Sequence, residues 1–121
     1  MMNQDLSYKS IEAAIFNLKF WIKNIEPQEI TPIFEKLLKD TEFGILNFSE
    51  HHFPIKGYTA LWLLAESHLA IHTFPDNNYT YVELSGCNED KTENFRNKIK
   101  EYKDILGIFQ INQTEFFNPN A

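Results

Sequence analysis

Apolar and polar residues alternate strictly from Phe16 through Leu18, Phe20 and Ile22, the period-two pattern of a half-buried strand, while the residues from Ile11 to Phe16 have no clear period. At Ile30 the period changes. Ile30, Ile33, Phe34, Leu37 and Leu38 share one face of an amphipathic helix, with Thr31-Pro32 in its first turn. Beyond Asp40-Thr41-Glu42, the runs Phe43 to Phe48, Gly57 to Ala65, Ser67 to Phe74 and Tyr79 to Ser85 predict four short strands. They are separated by Pro54, by Pro75-Asp76-Asn77-Asn78 and by Gly86. A second helix is expected with Asp90 as cap and a buried stripe of Phe95, Ile99, Tyr102, Ile105 and Leu106, stopped by a left-handed Gly107. Ile108 to Ile111 reads as a weak last strand, and Asn118 to Ala121 as a frayed end.

This order of elements predicts an α+β fold: a two-layer α/β sandwich with a mostly antiparallel sheet and two helices on one face. With no linker or internal repeat, residues 1–121 are expected to form a single domain. Hydrophobic residues make up 43% of the chain and 11 are Phe, enough to bury a core and to exclude a disordered tail. Seventeen acidic against eleven basic residues give a net charge of −6 without a basic cluster, which argues against a nucleic-acid partner. The most apolar window, Tyr58 to Ala65, falls far short of the roughly 20 residues a membrane span needs, so no membrane partner is expected. Met1-Met2-Asn3-Gln4-Asp5 has no basic or apolar leader pattern, and a cytoplasmic location is expected. The one cysteine, Cys87, cannot close an intrachain disulfide, which fits a reducing compartment.

Glu66-Ser67-His68 interrupts an otherwise apolar β-region. A carboxylate and a hydroxyl there are costly to bury without partners, which marks them as candidate chemistry, although a tight turn accounts for the same residues. A serine hydrolase is rejected because no Gly-x-Ser-x-Gly elbow surrounds Ser67. His68 and His72, even with His51 and His52 nearby, lack the cysteine or carboxylate spacing of a zinc set, so no metal is expected.

Ala65-Glu66-Ser67-His68-Leu69-Ala70-Ile71-His72-Thr73-Phe74-Pro75-Asp76 resembles the signature of the small prokaryotic S-adenosylmethionine decarboxylases, which are self-processing pyruvoyl enzymes. The likeness extends to His51-His52-Phe53-Pro54, to Gly57-Tyr58-Thr59 and to Cys87, twenty residues after Ser67, and covers about a third of the chain. It implies that the Ser67 hydroxyl attacks the Glu66 carbonyl and that elimination then splits the proenzyme. The products are a β chain, Met1 to Glu66, and an α chain, residues 67–121, that begins with a covalently bound pyruvoyl group derived from Ser67. Thr59 and His72 would assist processing, the imidazole by proton transfer. In turnover the pyruvoyl ketone would capture the substrate amine as a Schiff base and act as the electron sink for decarboxylation. Cys87 would return the proton, and Phe53, Asp76 and the Glu66 carboxylate would contact substrate.

For single residues other readings stay open: Cys87 as a small buried hydrophobe, Phe53 as plain core. The chain also departs from the family pattern. Gly86-Cys87-Asn88 stands where Thr-Cys-Gly is usual, Glu83 replaces a common aspartate, and Ser10 to Ile25 lacks the family's opening motifs. The expected product is decarboxylated S-adenosylmethionine, the aminopropyl donor for spermidine. The alternatives are the same chemistry on arginine or ornithine, or an unprocessed binding paralogue. A chain of this size has a radius of about 14 Å, small for enclosing a nucleoside, so a homodimer of processed protomers with its site at the subunit interface is expected.

Overall fold

The computed structural model describes residues 15–111 and 115–117. Strand β1 (Ile15–Ile22) is followed by helix α1 (Pro27–Asp40) and by β2 (Ile45–His52), β3 (Tyr58–Leu64), β4 (Ser67–Phe74) and β5 (Tyr79–Gly86). Helix α2 (Glu89–Lys98) runs through a 3-10 turn (Ile99–Tyr102) into α3 (Lys103–Leu106), and β6 (Ile108–Ile111) and β7 (Glu115–Phe117) follow. The sheet order is β2-β3-β4-β5-β1-β6, with β7 also paired to β1, and every pairing is antiparallel.

Alternation decides the faces. Leu18, Phe20 and Ile22 of β1, Tyr58, Ala60, Trp62 and Leu64 of β3, Leu69 and Ile71 of β4, and Val82 and Leu84 of β5 are all buried. With Ile30, Phe34, Leu37 and Leu38 of α1 and Phe95 of α2 they form one apolar cluster. Both helices therefore cover one face of the sheet, as the two-layer α+β reading expects. The opposite face carries no helix among the described residues. Leu61, Leu63 and Phe74 stand 41–49% exposed on it, and Trp21 packs there against Tyr79 and Tyr81 with ring centroids 4.8 and 4.9 Å apart.

Several boundaries move. The first helix starts at Pro27, so Pro32 lies inside it rather than in its first turn, where a missing N–H costs little. The strand expected from Phe43 begins at Ile45; Phe43 instead turns inward just after α1 and meets Phe95 edge-on, ring centroids 6.4 Å apart. Asn88, not Asp90, caps α2: its Oδ1 accepts from the Lys91 N–H at 3.0 Å. Ile105 is 52% exposed instead of buried, because the 3-10 turn rotates the helix before Leu106. Gly107 is left-handed, φ 68°, as expected of a helix stop, and a Cβ there would lie 2.9 Å from that of Lys23. The end expected to fray, Asn118 to Ala121, lies outside the described residues. No helix among the described residues is long and apolar enough to cross a membrane.

Candidate active site

Strands β3 and β4 form a hairpin closed by Ala65 and Glu66, with Leu64 opposite Ser67. Glu66 has φ 62°. Left-handed backbone costs a residue with a Cβ on the order of 1 kcal/mol, so the peptide expected to break is held by a strained residue. Ser67 follows with its side chain on the helix side of the sheet. Its Oγ lies 3.3 Å from where a Cβ of Gly86 would stand.

A cavity of about 160 Å³ opens at this end of the sheet, lined by Phe43, Ala65, Glu66, Ser67, Cys87, Asn88 and Lys91. Register brings the two reactive residues together across twenty positions of sequence: β4 pairs with β5, whose last residue, Gly86, immediately precedes Cys87. Cys87 is exposed, which overturns the buried-hydrophobe alternative. Lys91 was not among the candidate residues, and Asn88 entered only as a departure from the family pattern. Asn88 is legible in hindsight as a helix-capping residue beside the cysteine, and Lys91 follows from it by one helical turn.

Thr59 and His72 also meet, but elsewhere. They face each other across β3 and β4, with Thr59 Oγ1 and His72 Nδ1 3.1 Å apart, on the open face of the sheet. Five residues of strand separate His72 from Ser67, roughly 17 Å at 3.3 Å per residue. Within one chain the assisting pair therefore does not reach the bond it was expected to act on.

Phe53 and Asp76 belong to this second group. Phe53 is 48% exposed, so plain core is excluded. Its N–H donates to Gly57 O at 3.0 Å, and its ring stands edge-on to His51 at 4.6 Å. Gly57 has φ 111°, a conformation that glycine adopts without cost and that closes the short loop carrying Phe53. Asp76 is ion-paired with Lys56 of the same loop, tying the β4–β5 turn to Phe53. Beneath them Tyr58 donates its phenol to Glu50 Oε1 at 2.6 Å and lies 2.9 Å from Thr31 Oγ1. Burial, reinforced by the carboxylate of Glu50, pushes the Tyr58 pKa up to about 12.

Known proteins resemble this chain in sequence and in fold. The family model for S-adenosylmethionine decarboxylase matches residues 23–116. An S-adenosylmethionine decarboxylase proenzyme of Prochlorococcus marinus (strain MIT 9313) is 49% identical over 45 residues, 37% of this chain and 36% of that protein. The one of Synechococcus sp. (strain WH7803) is 36% identical over 70 residues, 54% and 55% of the two. The matched stretches thus span between about a third and just over half of these relatives. The crystal structure of the adenosylmethionine decarboxylase from Aquifex aeolicus VF5 superposes with a TM-score of 0.66 over 89% of this chain and 91% of that one, at 18% identity, a likeness of fold. With a family model matched over more than three quarters of its length, the chain belongs to the S-adenosylmethionine decarboxylase family.

Proposed function

We propose that the chain is a self-cleaving proenzyme of one domain that becomes a pyruvoyl-dependent decarboxylase of S-adenosylmethionine, yielding an aminopropyl donor for polyamine synthesis. One observation carries the reading: the strained Glu66–Ser67 turn and the Cys87 thiol line the same cavity. In the acyl shift the Ser67 Oγ bonds to the Glu66 carbonyl carbon, the Glu66–Ser67 C–N bond breaks, and the hydroxyl proton passes to the freed nitrogen. Loss of the Ser67 α-proton then expels the Glu66 carboxylate from Cβ. The resulting enamine tautomerises, and water replaces ammonia to leave a keto terminus.

The residues present fit such a group. Ser67 is small and stands beside bare Gly86, and the thiol is close enough to share its cavity. A pyruvoyl supplies an electron sink for the bond to carbon dioxide. Cys87 would deliver the proton that replaces it.

The same reading requires a second copy. A cavity of about 160 Å³ is about half the lower bound for ordinary ligand sites, and Thr59, His72, Phe53 and Asp76 gather at the other end of the hairpin. Apolar exposure on the uncovered sheet face supports its burial against another such face. A two-fold axis perpendicular to the strands would lay the Thr59–His72 end of one protomer over the β3–β4 turn of the other; because Ser67 faces the helices, the two groups would meet around that turn, at the Glu66–Ser67 peptide, making two composite sites per homodimer. Phe53 would then stack on the adenine and Asp76 would hold ribose hydroxyls once released from Lys56.

Mass spectrometry of purified wild-type chain under denaturing conditions tests the core of this. Two fragments divided after Glu66, the larger-numbered one bearing a hydrazine-reactive carbonyl, are expected, while Ser67→Ala stays whole at 14.3 kDa. An intact wild-type chain after prolonged incubation overturns the proposal. Carbon dioxide release from S-adenosylmethionine, and not from arginine or ornithine, identifies the substrate.

A further inference from the structure

Gly86 ends β5 as a buried glycine whose backbone does not need glycine's freedom: its φ is not in the left-handed region. Space is what it provides. A Cβ placed on it would lie 3.1 Å from Thr92 Oγ1 and 3.3 Å from Ser67 Oγ, both tighter than ordinary contact. The two hydroxyls differ in how far they can yield. Thr92 is 1% exposed, and its hydroxyl donates to Asn88 O at 2.9 Å within the first turns of α2. Ser67 is half-buried at a strand end, and its hydroxyl turns about a single bond. Any added side chain is therefore pressed from the α2 side and displaces Ser67.

Resting on the self-cleavage reading, we propose that Gly86 is a positioning residue for the acyl shift, with Thr92 as the backstop that makes its bare Cα necessary. The position of Ser67 Oγ against the β5 wall is the one from which it attacks Glu66. The glycine is this chain's own: α2 contributes the hydroxyl that crowds position 86 from the far side, so a threonine cannot be accommodated where the family pattern has one.

The experiment follows cleavage of freshly refolded proenzyme over time for wild type, Gly86→Ala, Thr92→Ala and the double variant. Thermal unfolding is measured alongside. Gly86→Ala is expected to cleave about tenfold more slowly or worse, since small misplacements of a reacting atom cost that much. The double variant is expected to return to the rate of Thr92→Ala alone, because the new methyl can then lean toward α2. Thr92→Ala lowers stability, so such a rescue cannot come from firmer folding. Neutral hydroxylamine, which cuts an accumulated ester, should not accelerate Gly86→Ala, because the ester is not yet formed.

A folded Gly86→Ala chain that cleaves at the wild-type rate, or one cut promptly by hydroxylamine, overturns the proposal. If Gly86→Ala fails to fold, the double variant decides: a rate matching Thr92→Ala supports the positioning role, and a slow or unfolded double variant refutes it. Wild type that never cleaves refutes the self-cleavage reading instead, so the two failures are distinguishable.

Discussion

The two ends of the β3–β4 hairpin are built from the same pair of strands and differ in almost every physical respect. At the turn end a non-glycine residue is held left-handed, a serine faces the helices, and a cysteine shares its cavity. At the other end Thr59 and His72 are hydrogen-bonded on the uncovered face, beside exposed Phe53 and Asp76. The first end has a left-handed residue beside a serine hydroxyl; the second has an imidazole and an exposed aromatic ring. Neither is a complete site, and an antiparallel hairpin keeps them one strand length apart. In the homodimer proposed above, a second copy turned end for end would bring the Thr59–His72 end of one protomer to the β3–β4 turn of the other.

The largest expected effect breaks this division directly. Co-expressed Ser67→Ala and His72→Ala chains, each unable to cleave alone, should yield cleaved His72→Ala chain, because its Ser67 end meets an intact Thr59–His72 end on the partner. The Ser67→Ala chain should remain whole. If neither is cleaved although the two chains co-purify, the ends do not complement each other, and the composite site is wrong. A Cys87→Ala chain sharpens the same contrast from the turn side: it should cleave normally yet release carbon dioxide about a hundredfold more slowly or worse, the usual scale for losing a proton donor. Full turnover by this variant would remove Cys87 from the chemistry.

Legibility followed the range of the interaction that decides each feature. Alternation in β1 depends on the pleat alone, and it identified the buried face correctly from Leu18, Phe20 and Ile22; for β3, β4 and β5 the strands were legible without their faces. Asn88 as cap, Ile45 as strand start and exposed Ile105 were misjudged because they depend on local competition between neighbouring turn and helix geometries. The motif brought Ser67, Cys87, Thr59 and His72 into one list, but a list has no distances. Only the hairpin register separates His72 from Ser67, and only the β4–β5 pairing returns Cys87 to Ser67. Lys91 and the space at Gly86 depend on how α2 packs against the end of β5, a tertiary fact with no short-range signal.

A smaller effect is expected at Phe53. The ring is exposed and lies outside the core cluster, so Phe53→Ala should leave unfolding and cleavage unchanged while raising KM for S-adenosylmethionine roughly tenfold, the scale of one lost stacking contact. Steady-state kinetics on the cleaved enzyme decides this. A fall in kcat with KM unchanged would place Phe53 in the chemical step instead of in binding.

The smallest effect concerns the foundation under that end. Tyr58 joins β3 to α1 and to Glu50 through its phenol, and burial disfavours the phenolate, with the pKa raised from 10.0 to about 12. A raised folded pKa means that stability from this group is complete below pH 10 and declines as pH climbs toward 12. Tyr58→Phe loses both hydrogen bonds and should cost about 1–2 kcal/mol at pH 7. Lacking an ionisable phenol, it should also lose less than wild type between pH 10 and 12. The gap between the two proteins in denaturant unfolding should therefore narrow with rising pH, and a gap that stays constant would mean that the phenolate is tolerated. Because Tyr58 neighbours Thr59 and stands seven residues from the turn at Ala65, amide exchange in the variant should quicken around Thr59 and His72 sooner than around Ser67. An equal response at both ends would mean that the hairpin opens as one unit, and that its two halves are chemically distinct without being mechanically independent.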